Sequence, residues 1–112
     1  MKNSDLKLIC LDTLDDMKAK DVLALDIRGV SGFADWFIIA TASSSRNAKA
    51  VSNKIIEAVK SNQLHVIGVE GQEDSEWVLI DCGDVVVNVM QQDTREFYDL
   101  ESLWGETTLI SA

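Results

Sequence analysis

The chain has 112 residues, 46% of them apolar and 26% charged, which suits one soluble domain with a single core. Nineteen acidic against ten basic side chains leave a net charge of −9, which argues against tight, direct binding to a phosphate backbone, a contact made by Lys and Arg. Two cysteines with no metal-ligand spacing, no apolar run of about 18 residues and an acidic amphipathic start (MKNSDLKLI) argue against a disulfide framework, a zinc site, a membrane span and a targeting peptide, so a cytoplasmic protein is expected.

Leu6, Ile9, Cys10, Leu14 and Met17 recur at helical spacing and predict a first helix over residues 4–18, with Asn3 or Ser4 as its cap. Its aspartates Asp5, Asp12, Asp15 and Asp16 read as a solvated face. A strand is expected at 22–28, a break at 29–32, and a second strand at 36–41. The second is continuously apolar, as a central strand buried on both faces is, and the short break makes the pair antiparallel. Ser43, Ser44 and Ser45 offer caps for a second helix whose buried stripe is Ala48, Val51, Ile55, Ala58 and Val59, with Asn62 closing it. A third strand at 64–69, reached through that helix, should run parallel to the second by a right-handed crossover.

Residues 76–91, EWVLIDCGDVVVNVMQ, read as a hairpin turning at Cys82-Gly83. That register sets Trp77 opposite Asn88 and Leu79 opposite Val86. Alternation then sorts Val78, Ile80, Val85, Val87 and Val89 onto one β-branched face, which builds the core. Trp77, Leu79, Asp81, Asp84, Val86, Asn88 and Met90 share the other. A last helix is expected from a cap at Asp93 or Thr94, with Glu96 reaching back and Phe97, Leu100 and Trp104 on one stripe. Residues 1–105 form the domain and 106–112 an unanchored tail. The order is α-β-β-α-β-β-β-α, a mixed sheet of about five strands with helices mainly on one face. The Trp/Met face is thereby left uncovered.

Catalytic groups are hard to find. His65 stands alone in a strand, and no nucleophile elbow, Walker loop, dinucleotide fingerprint or zinc-protease signature occurs. The 29–35 turn before the second strand is the most enzyme-like feature. A nucleotidyltransferase would need an Asp-x-Asp pair for two metal ions, and Asp35 is followed by Trp36 and Phe37. Ser43-Ser44-Ser45-Arg46 could meet an anion at a helix start, although capping alone explains the serines. No cofactor or metal is expected.

Asp35-Trp36-Phe37-Ile38-Ile39-Ala40-Thr41, Ser44-Ser45-Arg46, Gly68-Val69-Glu70-Gly71, the stretch from Trp77 to Met90 and the ending from Arg95 to Trp104 resemble the ribosomal silencing factor (Iojap-related) family. The resemblance runs from about Leu6 to Trp104. It implies a non-enzymatic, nucleotidyltransferase-like fold without the catalytic carboxylates. It also implies a translational repressor that binds the large ribosomal subunit through its universal protein fourteen and sterically blocks small-subunit joining, with an associated role in large-subunit biogenesis. On that reading Trp77, Leu79, Asp81, Val86, Asn88, Met90 and Tyr98 meet the partner, and little direct nucleic-acid contact is expected. Asn88 and Asn47 stand where relatives often carry His, which keeps a hydrogen-bonding group but removes a titratable one. Two other readings are a residual nucleotide- or metal-dependent transferase and a module that forms a homodimer when free.

Overall fold

The computed structural model describes residues 3–29, 32, 34–103 and 109–111. Its elements run α1 (Asn3–Asp16), β1 (Lys20–Asp26), β2 (Trp36–Ala42), α2 (Ser45–Ser61), β3 (Gly68–Glu70), β4 (Trp77–Asp81), β5 (Val85–Gln91), α3 (Gln92–Tyr98), α4 (Leu100–Leu103) and β6 (Leu109–Ser111). The strands form one mixed sheet in the order β3-β4-β5-β2-β1-β6. The single-domain α/β architecture and the predicted order are present. To them are added the short α4 and β6. The residues expected to be a free tail therefore include a strand, for Leu109 to Ser111 pair antiparallel with β1. Residues 106–108 and 112 lie outside the described residues.

β2 is buried along its whole length, because it runs between two other long strands with packing on both sides. Its partners are antiparallel β1 and parallel β5. The third strand is shorter than expected. Gly68 pairs with Asp81, the last residue of β4, and one further bond joins the Ile67 N–H to the Asp81 carbonyl, so residues before Ile67 have no strand beside them. β3 does run in the direction of β2, but β4 and β5 lie between them.

Face sorting followed the alternation. Val78, Ile80, Val85, Val87 and Val89 are fully buried with Ile38, Leu14, Val51, Ile55 and Val59 in the larger core, under α1 and α2. Ser44 caps α2, its hydroxyl accepting from the Asn47 N–H at 3.0 Å. Asn62 closes the helix, donating backbone and side-chain N–H groups to the Ala58 carbonyl. The two thiols, far apart in sequence, meet in this core. The neighbouring Cys82 thiol and burial push Cys10 above the ordinary thiol range, whereas the neighbouring Cys10 draws Cys82 down.

The hairpin register differs from the expected one by two residues. Trp77 pairs with Met90, Leu79 with Asn88 and Asp81 with Val86. The two loop residues are Gly83 and Asp84, closed by a 3.0 Å bond from the Cys82 N–H to the Val85 carbonyl. Gly83 has φ of +88° and is the only one of the two in the positive region, so glycine belongs at the first loop position, as in a II′ turn. A shift by an even number leaves every side chain on its predicted face.

Candidate functional site: an aromatic patch beside a sealed sheet face

The second sheet face is not open. Leu25, Ile27, Ala34, Phe37, Ile39, Val86, Met90 and Leu100 form a smaller core there, with Trp77 and Leu79 packed against its edge. This corrects the expectation that the Trp/Met face as a whole is a contact surface. Val86 is 4% exposed, and Asn88 and Met90 are fully buried.

The backbone at the end of α3 explains much of that sealing. Asp99 adopts a left-handed conformation (φ 47°), which Asp tolerates better than most residues, and ends the helix. Its carboxylate accepts from the Ser102 hydroxyl at 2.6 Å, at the start of α4. Leu100 thus tucks onto the sheet, 8% exposed, while Phe97 stays 80% exposed. The single stripe expected for Phe97 and Leu100 is broken by that turn. The Trp104 part of that expectation lies outside the described residues, as does the Leu103 side chain. The α3 cap also differs. The helix begins at Gln92 without a side-chain cap, and Glu96 accepts from the Gln92 amide instead of reaching back to the expected Asp93 or Thr94.

Asn88 is the hinge between the sealed and exposed parts of this face. Its amide oxygen accepts from the Trp77 indole N–H at 2.9 Å, and its amide nitrogen donates to the Ile38 carbonyl at 3.2 Å. Both ends of a fully buried amide are thereby engaged, which a buried polar group requires. The bond holds the indole in one orientation. Behind it, Gly71 (φ 85°) lies so close to the Trp77 carbonyl that a Cβ there would collide with it.

Trp77, half-buried, then meets Tyr98 with ring centroids 5.0 Å apart, and Tyr98 meets Phe97 edge-on at the same separation. Tyr98 is 54% exposed. Of the seven residues expected at the site, the structure brings Trp77 and Tyr98 together at the surface, with half-buried Leu79 beside the smaller core. Asp81 has a local role, its carboxylate accepting from the Gly83 N–H at 2.9 Å. Phe97, expected on a helix stripe, instead widens the patch.

Arg95 is the other residue that pattern reading missed. It is 7% exposed and donates to the Asp21 carbonyl at 2.6 Å and the Thr41 hydroxyl at 2.8 Å, tying α3 to β1 and β2. A buried guanidinium held this way fixes the element that carries Phe97 and Tyr98.

A family model described as "Ribosomal silencing factor during starvation" matches residues 2–112. The chain belongs to the ribosomal silencing factor family. It is 36% identical to the ribosomal silencing factor of Halalkalibacterium halodurans over 98% of this chain and 94% of that one. A solved structure of a protein from Chromobacterium violaceum matches with a TM-score of 0.92 at 37% identity, covering 100% of this chain and 93% of that one. A more distant relative, 27% identical over 77% of this chain and 39% of its own length, is the mouse "Mitochondrial assembly of ribosomal large subunit protein 1". Within this family fold, Phe97 and Tyr98 are exposed large hydrophobic residues whose rings touch, and Tyr98 also touches Trp77.

Proposed function

We propose that the chain is a cytoplasmic translational repressor that docks on the large ribosomal subunit through its universal protein fourteen. It then stands where the small subunit must join, with an associated part in large-subunit biogenesis. Family membership supports the ribosomal setting, and the mouse relative's name ties that protein to large-subunit assembly. The observation that carries the docking mode is the contact series Trp77–Tyr98–Phe97. Three touching rings with two of them well exposed form the kind of aromatic anchor on which protein interfaces concentrate their energy. The indole is oriented in advance by Asn88 and α3 is clamped by Arg95, so little ordering cost remains to be met on binding. Blocking is steric and needs no turnover.

Gradient sedimentation of purified subunits tests this. The protein should travel with large subunits and reduce the fraction of joined ribosomes. Phe97→Ala with Tyr98→Ala should abolish both effects while the circular dichroism spectrum is unchanged, since both side chains are exposed. Joining that proceeds undisturbed in the presence of bound wild-type protein would refute the blocking role. Retained binding by the double variant would remove the patch from the interface.

A further inference from the structure

We infer that the outer face of α2 is a second contact surface, one that fits the phosphate backbone of RNA. This rests on the ribosomal reading above and adds a nucleic-acid contact to it. The inner face of α2 packs Ala48, Val51, Ser52, Ile55 and Val59 into the core. The outer face exposes Arg46, Lys49, Asn53, Lys54, Glu57 and Lys60. At 3.6 residues per turn, Arg46, Lys49 and Lys60 fall within a sector of about 60° and span about 21 Å along the axis, and between them the Asn53 amide oxygen accepts from the Gln72 side chain at 3.2 Å.

Lys18 and Lys20 are likewise exposed without an ion pair, so what sets Arg46, Lys49 and Lys60 apart is that they share one helix face. The chain carries nineteen acidic residues for ten basic ones, so most cations could find a carboxylate. Arg28 is paired with Asp26, Lys54 with Glu57 at 3.2 Å, and Arg95 is buried in hydrogen bonds. Arg46, Lys49 and Lys60 have no ion pair or hydrogen bond among the described residues. Glu57, the sole acid within α2, is already occupied. The neighbouring helix is the reverse, with Asp12, Asp15 and Asp16 exposed on α1. The two helices thus carry opposite charge on their outer faces, and the acidic loop bearing Glu73 and Asp74 reaches α2 at Asn53 through Gln72, so the cations of the stripe stand on either side of that contact.

The occupant follows from what the stripe lacks. Among the described residues the exposed large hydrophobic ones are Leu8, Ile67, Phe97 and Tyr98, none of them on α2. A protein partner would need an apolar or aromatic anchor between the charges. A phosphate backbone needs only cations in a row, and it is bound by release of its counterions.

The test is the salt dependence of binding to purified large subunits, with Arg46→Gln/Lys49→Gln/Lys60→Gln as the variant. Three phosphate contacts predict that raising salt from 50 to 200 mM costs the wild type about 20- to 40-fold more affinity than the variant, with a log–log slope steeper by about 2 to 3. Binding of both proteins to isolated universal protein fourteen should be equal. Identical slopes on the subunit would overturn the inference. If the wild type fails to bind subunits, the proposed function falls, and a fluorescent RNA hairpin at low salt decides about the stripe alone. An anisotropy rise that the variant loses would support it, and equal responses would overturn it. So would competition by polyglutamate as strong as by unlabelled RNA, because the site would then be one for acidic protein.

Discussion

The two faces of the central sheet are built from alternate residues of the same strands, yet they are sealed in different ways. Beneath α1 and α2 the sealing is almost wholly aliphatic, with Leu14, Ile38, Val51, Ile55, Ile80 and Val87 fully buried. The opposite face has a smaller core and three polar groups set into it, Asn88, Thr41 and Arg95, each hydrogen-bonded. Aliphatic packing is non-directional and resists disturbance through burial. Hydrogen-bonded packing is directional, and it fixes the orientation of what stands above it. The first face therefore supplies stability, while the second positions Trp77, Phe97 and Tyr98 at the surface.

That division can be broken most forcefully from the aliphatic side. Ile80→Ala removes fully buried methyl groups under α2 and should cost about 2–5 kcal/mol in chemical denaturation. The fraction that remains folded should bind large subunits with unchanged affinity. A loss of affinity in folded protein would mean that the two faces are not separate in function.

Trp77→Ala should give the converse result. Loss of a central aromatic anchor costs about 2 kcal/mol or more of binding, roughly thirtyfold. Because the indole is only half-buried, the denaturation midpoint should fall less than for Ile80→Ala. Calorimetric titration against universal protein fourteen, read beside the denaturation curve, separates the two quantities. If stability collapses while affinity holds, Trp77 is core and the anchor lies elsewhere.

How much of this was legible beforehand depends on which physical rule was in charge. Alternation along a strand survives an even register shift, so the valine face was placed correctly although the turn lies one residue later than expected. The burial of Asn88 and Met90 was not legible, since it depends on what covers their face. Part of that cover is Leu100, delivered by the left-handed turn at Asp99. A non-glycine residue at positive φ leaves little trace in sequence. Arg95 was hidden for a related reason: an arginine on a short helix reads as surface unless its distant acceptors, here Asp21 and Thr41, are known. The exposed trio is half visible in the sequence, because alternation and position point to Trp77 and Tyr98 as contacts, while helical spacing places Phe97 on a stripe that the same turn interrupts.

Asn88 offers a finer probe, because its replacement can be made conditional on pH. In Asn88→His, neutral imidazole can accept from the Trp77 indole through one nitrogen and donate to the Ile38 carbonyl through the other, repeating the native pattern. Imidazolium has two donors and no acceptor, so protonation leaves the indole N–H without its partner and places a charge in the core. The folded-state pKa should therefore lie below the ordinary value of about 6.5. A histidine depressed in this way takes up its proton more readily when unfolded, so stability falls as pH drops below about 6.5. The wild type, carrying an amide, should show no such step there. Denaturation midpoints and subunit affinity of the variant, compared between pH 8 and pH 6, should both decline. A flat profile would mean that the Asn88–Trp77 bond does not orient the anchor.

The smallest expected effect has the opposite sign and lies under the helices. Ser52 faces the aliphatic core from α2, fully buried, and its hydroxyl has no hydrogen-bond partner among the described residues. Such a hydroxyl loses its water on folding and gains nothing in return, a cost of about 1–3 kcal/mol, and serine is also a weaker helix former than alanine. Ser52→Ala should therefore stabilise the protein by about 1 kcal/mol, after allowance for the small void left by the missing oxygen. Thr41→Val on the other face is the matched control. Its hydroxyl accepts from Arg95, so its removal should destabilise the protein and loosen α3 beneath Phe97 and Tyr98. If both substitutions shift the denaturation midpoint in the same direction, the contrast between a face that excludes polar groups and one that uses them does not hold.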